Sequence, residues 1–190
     1  SHDLIGNIGA VSNAVELLEE GDMDFMDDIR SILKVSSGVL TARLKFFRMA
    51  FGVDNANLEK LDLVEKTTAD YLKTLGNVNY PISLTMRLSN WQLSKMAMLA
   101  VMILADTFIK GGNIEVREET GRLLILAAGE NRSAEKIGAV AAAVNGKLIE
   151  RTAQYAPVFY LQELLSKFKL KLNIIEALIF DYIQFQFKFA

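Results

Sequence analysis

The chain has 190 residues, of which 51% are hydrophobic and 23% charged. This composition is enough to build the core of one large domain or two small ones, and it excludes disorder as the main state. The net charge of -2 and the pI of about 5.5 argue against a nucleic-acid binder that uses a basic surface. Cysteine is absent, which excludes disulfides, thiolate zinc sites and a cysteine nucleophile.

Apolar patterning and the N-terminal sequence give no sign of a membrane protein. No charged segment followed by an apolar run opens the chain, so no signal peptide is predicted. The longest apolar stretch, residues 96–105, is about half of the roughly 20 residues that span a bilayer. We therefore expect a cytoplasmic protein without membrane insertion, in which residues 96–105 belong to a buried helix.

The first 50 residues show the apolar spacing of two helices. Gly21 separates two stripes with steps of three and four residues, which is the period of an apolar helix face. The stripes are Leu4, Ile8, Val11, Val15 and Leu18, and then Phe25, Ile29, Ile32, Ser36, Leu40, Leu44, Phe47 and Phe51. They predict an αα-hairpin, with Gly21 as C-cap and Asp22 or Asp24 as the next N-cap, in a first domain of residues 1–53.

The apolar surface of such a hairpin exceeds what its two helices can bury between them. Val39, Phe46 and Met49 fall outside the two stripes and need a further partner. We expect dimerisation into a four-helix bundle, and the alternative is that the hairpin packs on the rest of its own chain.

Residues 54–190 predict a second, α+β domain. We expect an amphipathic helix over 58–75, a short strand over 79–86 that includes Pro81, and a long apolar helix over 89–110 in which Trp91 is core. Residues 114–116 and 123–126 flank Thr120-Gly121 and predict a β-hairpin. Two helices, over 133–144 with Ser133 as cap and over 152–168, precede two final strands within 170–189.

His2 is the one histidine of the chain, so all histidine chemistry depends on it. At about 100° per residue it lies roughly 160° from the first apolar stripe, on a face that also carries Gly6 and Gly9. Glycine inside a helix costs about 0.5–1 kcal/mol relative to alanine, so two glycines beside an exposed histidine indicate close approach by another molecule. A hairpin turn near Gly21 would place His2 level with Arg43, a candidate contact for a phosphoryl group on the imidazole. Considered alone, a terminal histidine is more often a solvated side chain.

The segment from His2 to Ala10, HDLIGNIGA, resembles the phospho-acceptor box of histidine kinases, which begins with His, an acidic residue and an apolar residue. It is more similar still to the ChpT-type histidine phosphotransferases of alphaproteobacteria, whose box continues into a Gly-Ala step and an Asn-x-x-Glu-Leu-Leu segment, here residues 13–18. Residues 42–52, ARLKFFRMAFG, are similar to the end of that family's second helix. Asn7 departs from the box, which usually has proline there, so any local bend must come from Gly6 and Gly9.

The resemblance implies that residues 54–190 are a degenerate Bergerat fold, the α/β sandwich of the histidine-kinase ATP-binding domain. A working domain of that kind has Asn-x-x-x-Asn on its long helix for Mg²⁺ and an Asp-x-Gly-x-Gly box for adenine. Residues 101–108, VMILADTF, contain no asparagine, and residues 126–131, LAAGEN, offer one glycine with no preceding aspartate. Without those ligands nucleotide cannot be held for in-line transfer, so we expect no ATP and no kinase activity.

The resemblance further implies a phosphorelay through His2. Its neutral imidazole would take a phosphoryl group from the phospho-aspartate of a receiver domain and pass it to a second receiver. Partners would be the receivers of a hybrid histidine kinase and of response regulators, which bring their own Mg²⁺, with no cofactor bound by this chain. We expect supporting roles for Asp3, Asn7 and Arg43, and the helix face that carries His2 suggests that the receiver docks on Ile5, Gly6 and Gly9. Two alternatives remain, namely a non-catalytic dimeric adaptor and an ATP-dependent histidine kinase with a divergent nucleotide site.

Overall fold

The structure is a computed structural model that describes residues 2–19, 25–53, 55–130, 133–145, 147, 152–177 and 182–188. Within these ranges the side chains of residues 2, 3, 174–177 and 182 are not described. The chain divides into two compact units, residues 1–48 and residues 49–190. The assignment of functional domains to residues 1–53 and 54–190 stays a prediction.

Two helices make up the first unit, and both were predicted from the apolar spacing. Helix α1 comprises His2–Glu19 and α2 comprises Met26–Phe51, so the last three residues of α2 fall in the second unit. Asp27 and Asp28 lie in the first turn of α2, where carboxylates stabilise the exposed N–H groups of a helix N-terminus. The predicted turn residues Gly21, Asp22 and Asp24 lie outside the described residues.

Burial in the helical unit differs from the predicted stripes. Ile29 of the second stripe is buried as predicted, but Ala14 and Phe46, outside the stripes, are also at most 1% exposed, whereas Ile8 of the first stripe is 55% exposed. Val15, Leu18, Ile32 and Leu44 are also exposed. The chain itself buries Phe46 and Met49, so these two side chains do not require a partner copy, while Val39 is half-buried.

The second unit contains a five-stranded sheet with the order β1-β2-β3-β5-β4. Its strands are β1 Ile82–Arg87, β2 Gly112–Glu119, β3 Arg122–Ala128, β4 Lys171–Ala177 and β5 Tyr182–Lys188. Its helices are α3 Leu61–Lys73, α4 Ser94–Ala105, α5 Ala134–Val144 and α6 Ala156–Phe168. Strands β1 and β2 are parallel and are joined through α4, while the remaining neighbours are antiparallel.

The predicted long helix over 89–110 is shorter in the structure. It opens with a 3₁₀ turn at Trp91–Leu93, where the Asn90 side chain accepts a hydrogen bond from the Gln92 N–H, and α4 ends at Ala105. Just after the end of α4, the fully buried Thr107 donates its hydroxyl to the Leu104 carbonyl, and its own carbonyl accepts a hydrogen bond from the Ser133 N–H. The predicted strand over 79–86 likewise begins after Pro81, since proline has no N–H for the ladder.

The other predicted elements are confirmed. Gly121 has a φ of 74° in the tight turn between β2 and β3, a conformation that glycine adopts without steric cost. The Ser133 hydroxyl accepts the Lys136 N–H and so caps α5 as predicted. The last two strands, β4 and β5, pair with each other.

Helix α4 forms the centre of the core, as its uniformly apolar sequence predicts. Residues 96–101 are all at most 1% exposed, and α4 packs against α3, α6, β2 and β3. Strands β3 and β5 supply alternate side chains that are fully buried: Leu123, Ile125, Ala127, Ile183, Phe185 and Phe187. The second unit is therefore a mixed helix-and-sheet layer structure with one hydrophobic core.

Candidate functional site

The predicted phospho-acceptor position is the first residue of α1. The helix begins at His2, while the side chains of His2 and Asp3 lie outside the described part of the chain. By the helical period, position 2 shares a face with positions 6 and 9, and position 5 lies at the border of that face. The backbone therefore places the predicted acceptor at one end of a continuous helix face.

That face is open and made of small or exposed residues. The Ile5 side chain is 65% exposed, Gly6 is exposed and Gly9 is half-buried. A Cβ atom built on Gly6 or Gly9 meets no other atom within 4 Å. Packing within the chain therefore does not require glycine at either position, and the helix carries a propensity cost that its own fold does not explain.

The two predicted polar supporting residues are less exposed. Asn7 is half-buried on α1, and Arg43 on α2 is only 7% exposed, and both interact with other groups of the chain. Lys45 and Arg48, farther along α2, are exposed. Arg43 therefore packs inside the chain and does not present its guanidinium to solvent. The exposed cations nearest to it in sequence are Lys45 and Arg48.

The two segments in which the sequence lacks the kinase nucleotide motifs make contacts within the chain. After α4, the Lys136 ammonium binds the Asp106 carbonyl at 2.9 Å and its carboxylate at 3.1 Å. The Phe108 ring packs against two glycines, since a Cβ on Gly129 would lie 2.8 Å from it and one on Gly112 only 2.5 Å. The glycine of the LAAGEN segment is thus explained by packing against Phe108.

A second feature, which the sequence did not indicate, is a cleft in the second unit. Its volume is about 290 Å³, and Trp91, Lys95, Tyr160 and Lys167 contribute to its walls. The interpretation of Trp91 as core was wrong, because this side chain is 36% exposed at the cleft. The sequence does contain a signal for this cleft. An aromatic residue precedes a lysine by four residues in 91–95 and by seven in 160–167, spacings that place both on one helix face, but the pattern of apolar residues does not reveal it.

Neither a metal-binding cluster nor a membrane-spanning helix is found among the described residues. No group of three or more His, Cys, Asp or Glu residues in the described ranges is arranged to hold a metal ion. Within the same ranges, no helix combines the length and the apolar character needed to cross a membrane.

The family model for the histidine phosphotransferase C-terminal domain matches residues 64–177. The protein phosphotransferase ChpT of Brucella abortus (strain 2308) is 47% identical over 51 residues. That match covers 27% of this chain and 23% of the relative.

Solved structures show the same fold. A bacterial phosphotransferase solved at 1.7 Å superposes with a TM-score of 0.74 at 22% identity, covering 98% of this chain and 90% of the other. The histidine kinase domain of the blue-light activated histidine kinase EL346 from Erythrobacter litoralis superposes with a TM-score of 0.50 at 9% identity, covering 96% and 95%. At these identities the likeness concerns the fold, a mixed helix-and-sheet arrangement shared with histidine kinases.

Proposed function

Because this chain belongs to the histidine phosphotransferase family, we propose that it relays a phosphoryl group between receiver domains through His2. The observation that carries the proposal is the open helix face that begins at His2 and continues over Ile5, Gly6 and Gly9. Glycines with no neighbour within 4 Å are unfavourable in an isolated helix, and they become useful when a second protein packs closely against them. Ile5, at 65% exposed, supplies apolar area for that contact.

The chemical step is an in-line displacement at phosphorus. A neutral imidazole nitrogen of His2 attacks the phospho-aspartate of the donor, forming a P–N bond as the P–O bond breaks and the aspartate leaves as carboxylate. A histidine with an ordinary pKa of about 6.5 is mostly neutral at pH 7 and so has the lone pair available. The reverse displacement, by the aspartate of a second receiver, completes the relay.

Most of the rate enhancement comes from positioning and charge neutralisation. We assign Asp3 and Asn7 to orienting the imidazole, and Arg43 to the charge of the phosphoryl group. Because Arg43 is buried, its side chain would have to move on docking to reach the phosphoryl group. The exposed Lys45 and Arg48 could supply positive charge without such a movement. The Mg²⁺ belongs to the acidic pocket of the receiver, and this chain contributes no cofactor.

The same proposal includes the absence of ATP-dependent kinase activity. Its support is that α4 has no asparagine, that Lys136 engages Asp106, and that Phe108 fills the space beside Gly129. A nucleotide would need a metal ligand and an adenine anchor at these positions.

We further propose a homodimer in which α1 and α2 of two copies form a four-helix bundle. Exposed apolar side chains on both helices support it, since an isolated helical unit with such a surface is prone to associate: Ile8, Val15, Leu18, Ile32 and Leu44. The partners would be the receivers of a hybrid histidine kinase and of response regulators, which places the protein in the cytoplasm.

The experiment that tests the relay is transfer of label from a prephosphorylated receiver domain. The wild type is expected to become labelled, and His2→Ala is expected to remain unlabelled because no other histidine is present. The label should be lost in acid and survive alkali, as a phosphoramidate does and an acyl phosphate does not.

Two controls separate the alternatives. Labelled ATP without a receiver should give no label, and labelling would instead indicate a kinase with a divergent nucleotide site. Failure of any receiver to label the wild type, with signalling intact in His2→Ala cells, would favour the non-catalytic adaptor.

A further inference from the structure

The cleft of the second unit has the shape and lining of a small-molecule site. We call it the lysine cleft and define it by Phe51, Trp91, Lys95, Tyr160, Lys167 and Phe168. Its volume of about 290 Å³ is at the small end of the range for ligand pockets, which run from about 300 Å³ upward. All six residues belong to the unit of residues 49–190, so the cleft is a property of that unit.

Two lysines, Lys95 and Lys167, line the cleft, and the Lys167 ammonium lies 6.0 Å from the centroid of the Phe168 ring. The Lys95 ammonium donates to the Gly52 carbonyl at 2.7 Å, which uses one of its three N–H groups. Within the described ranges, neither Lys95 nor Lys167 forms an ion pair with a carboxylate. Burial, and then repulsion from Lys167, lower the pKa of Lys95 below its ordinary value, so an anion between them would relieve both costs.

Exposed aromatic rings surround these cations. Phe51, Trp91 and Phe168 are each 36–47% exposed at the cleft. Tyr160 stacks on Phe51 with ring centroids 5.7 Å apart and planes at 28°, so this part of the wall is flat and held in place. Such faces favour a planar ring, because stacking buries apolar area at little conformational cost.

We propose that the lysine cleft binds a small aromatic anion, a molecule that joins one planar ring to a phosphate or carboxylate group. The ring stacks between the aromatic side chains, and the anionic group takes the free N–H donors of Lys95 and Lys167. The cleft lies in the second unit, whereas the predicted phospho-acceptor His2 belongs to the first, and the proposal does not depend on the relay.

The single tryptophan of the chain lies in this cleft, so its fluorescence reports binding directly. The full-length protein is titrated with adenosine monophosphate, which joins a purine ring through ribose to a phosphate, and with benzoate, which has a carboxylate on its ring. Adenosine provides a ring without a charge, and inorganic phosphate a charge without a ring. We expect a saturable change with at least one ring-bearing anion, and adenosine and inorganic phosphate should each bind about tenfold more weakly than adenosine monophosphate.

Lys167→Met is the decisive variant, because it leaves the hydrogen bond from Lys95 to Gly52 intact and so preserves the folded unit. It should weaken binding about tenfold, as expected for loss of one charge-assisted hydrogen bond. Lys136→Met is the matched control, because Lys136 contacts Asp106 and does not line the cleft. The control also separates this site from any nucleotide binding near the end of α4.

The outcomes are distinct. Saturation by benzoate, by the nucleotide or by both supports the proposal, and the comparison shows which combination of ring and anionic group the cleft prefers. No saturable change with either ring-bearing anion overturns it, and so does binding that Lys167→Met leaves unchanged or that Lys136→Met weakens equally.

Discussion

At the scale of single residues, the informative positions are glycines whose surroundings differ. Gly112 and Gly129 are packed against Phe108, and a Cβ on Gly111 would lie 2.3 Å from the Pro81 carbonyl oxygen. Gly6 and Gly9 on α1 have open space around them, so their small size serves nothing within the chain. Substitution by alanine therefore separates the requirements of the fold from those of a partner.

Replacing Gly6 or Gly9 by alanine should stabilise the protein and impair transfer. Each change is expected to raise the free energy of unfolding by about 0.5–1 kcal/mol, because alanine is the better helix former and meets no clash. Transfer from a phosphorylated receiver should fall about tenfold, since an added methyl group in a close interface costs roughly 1–3 kcal/mol. Denaturant unfolding and the labelled-transfer rate measure the two effects.

Gly38→Ala on α2 is the matched control. Gly38 is also exposed with no neighbour within 4 Å, so it should give the same stabilisation with no change in transfer. Transfer at the wild-type rate in both Gly6→Ala and Gly9→Ala would show that the receiver does not dock on this face.

At the scale of elements, a single carboxylate links two strands to the start of the core helix. Glu118 near the end of β2 accepts hydrogen bonds from the Ser89 N–H at 2.8 Å, the Ser89 hydroxyl at 2.7 Å and the Asn90 N–H at 3.0 Å. These groups follow β1 and lead into the 3₁₀ turn before α4. Partial burial acts to raise the pKa of Glu118, but the hydrogen bonds from Ser89 and Asn90 outweigh it and hold the pKa below its ordinary value.

The lowered pKa of Glu118 predicts how the stability of the protein depends on pH. A carboxyl with a lowered pKa in the folded state stabilises the protein above the ordinary glutamate pKa, and that contribution is lost as the pH falls through the lowered value. Glu118→Gln should therefore cost about 0.5–1 kcal/mol at neutral pH, a modest figure because the group is partly solvated. The difference from the wild type should shrink as the pH falls below about 4.5.

Denaturant unfolding at several pH values measures this difference. Glu163→Gln, at an exposed position on α6, is the control and should show little effect at any pH. A cost for Glu118→Gln that stays constant with pH would indicate lost packing in place of lost charge.

At the scale of the whole molecule, the exposed apolar side chains of α1 and α2 predict association of two copies. Ile8 and Ile32 are 55% and 40% exposed. The double substitution Ile8→Glu and Ile32→Glu should give a folded monomer, because a charge in an apolar interface costs several kcal/mol. Light scattering coupled to size-exclusion chromatography measures the mass.

Asn13→Glu is the control on the same helix, since position 13 lies about 140° from position 8 by the helical period. It should remain dimeric. A wild type that is monomeric, or a double variant that remains dimeric, would rule out the four-helix bundle built on these faces.

How much of this protein could be predicted from its sequence depends on the range of the interactions involved. Apolar periodicity, the Ser133 cap and the Thr120-Gly121 turn are encoded by neighbours within a few residues, and the elements they predict are confirmed. The resemblance at the N-terminus and the family match of residues 64–177 agree on the same family. The phospho-acceptor at His2 and its supporting residues remain predictions.

The tertiary structure decided what depends on contacts between distant segments. The Thr107 carbonyl bonds the Ser133 N–H just after α4, and Phe108 and the Gly111 carbonyl oxygen lie against Gly129, although neither contact leaves a periodic trace in the sequence. The lysine cleft brings together residues 51, 91, 95, 160, 167 and 168 from the end of α2, the start of α4 and α6. Local sequence determines which segments are helices and strands because their hydrogen bonds close within a few residues. Long-range packing alone determines which side chains of those segments meet, are buried or remain open to a partner.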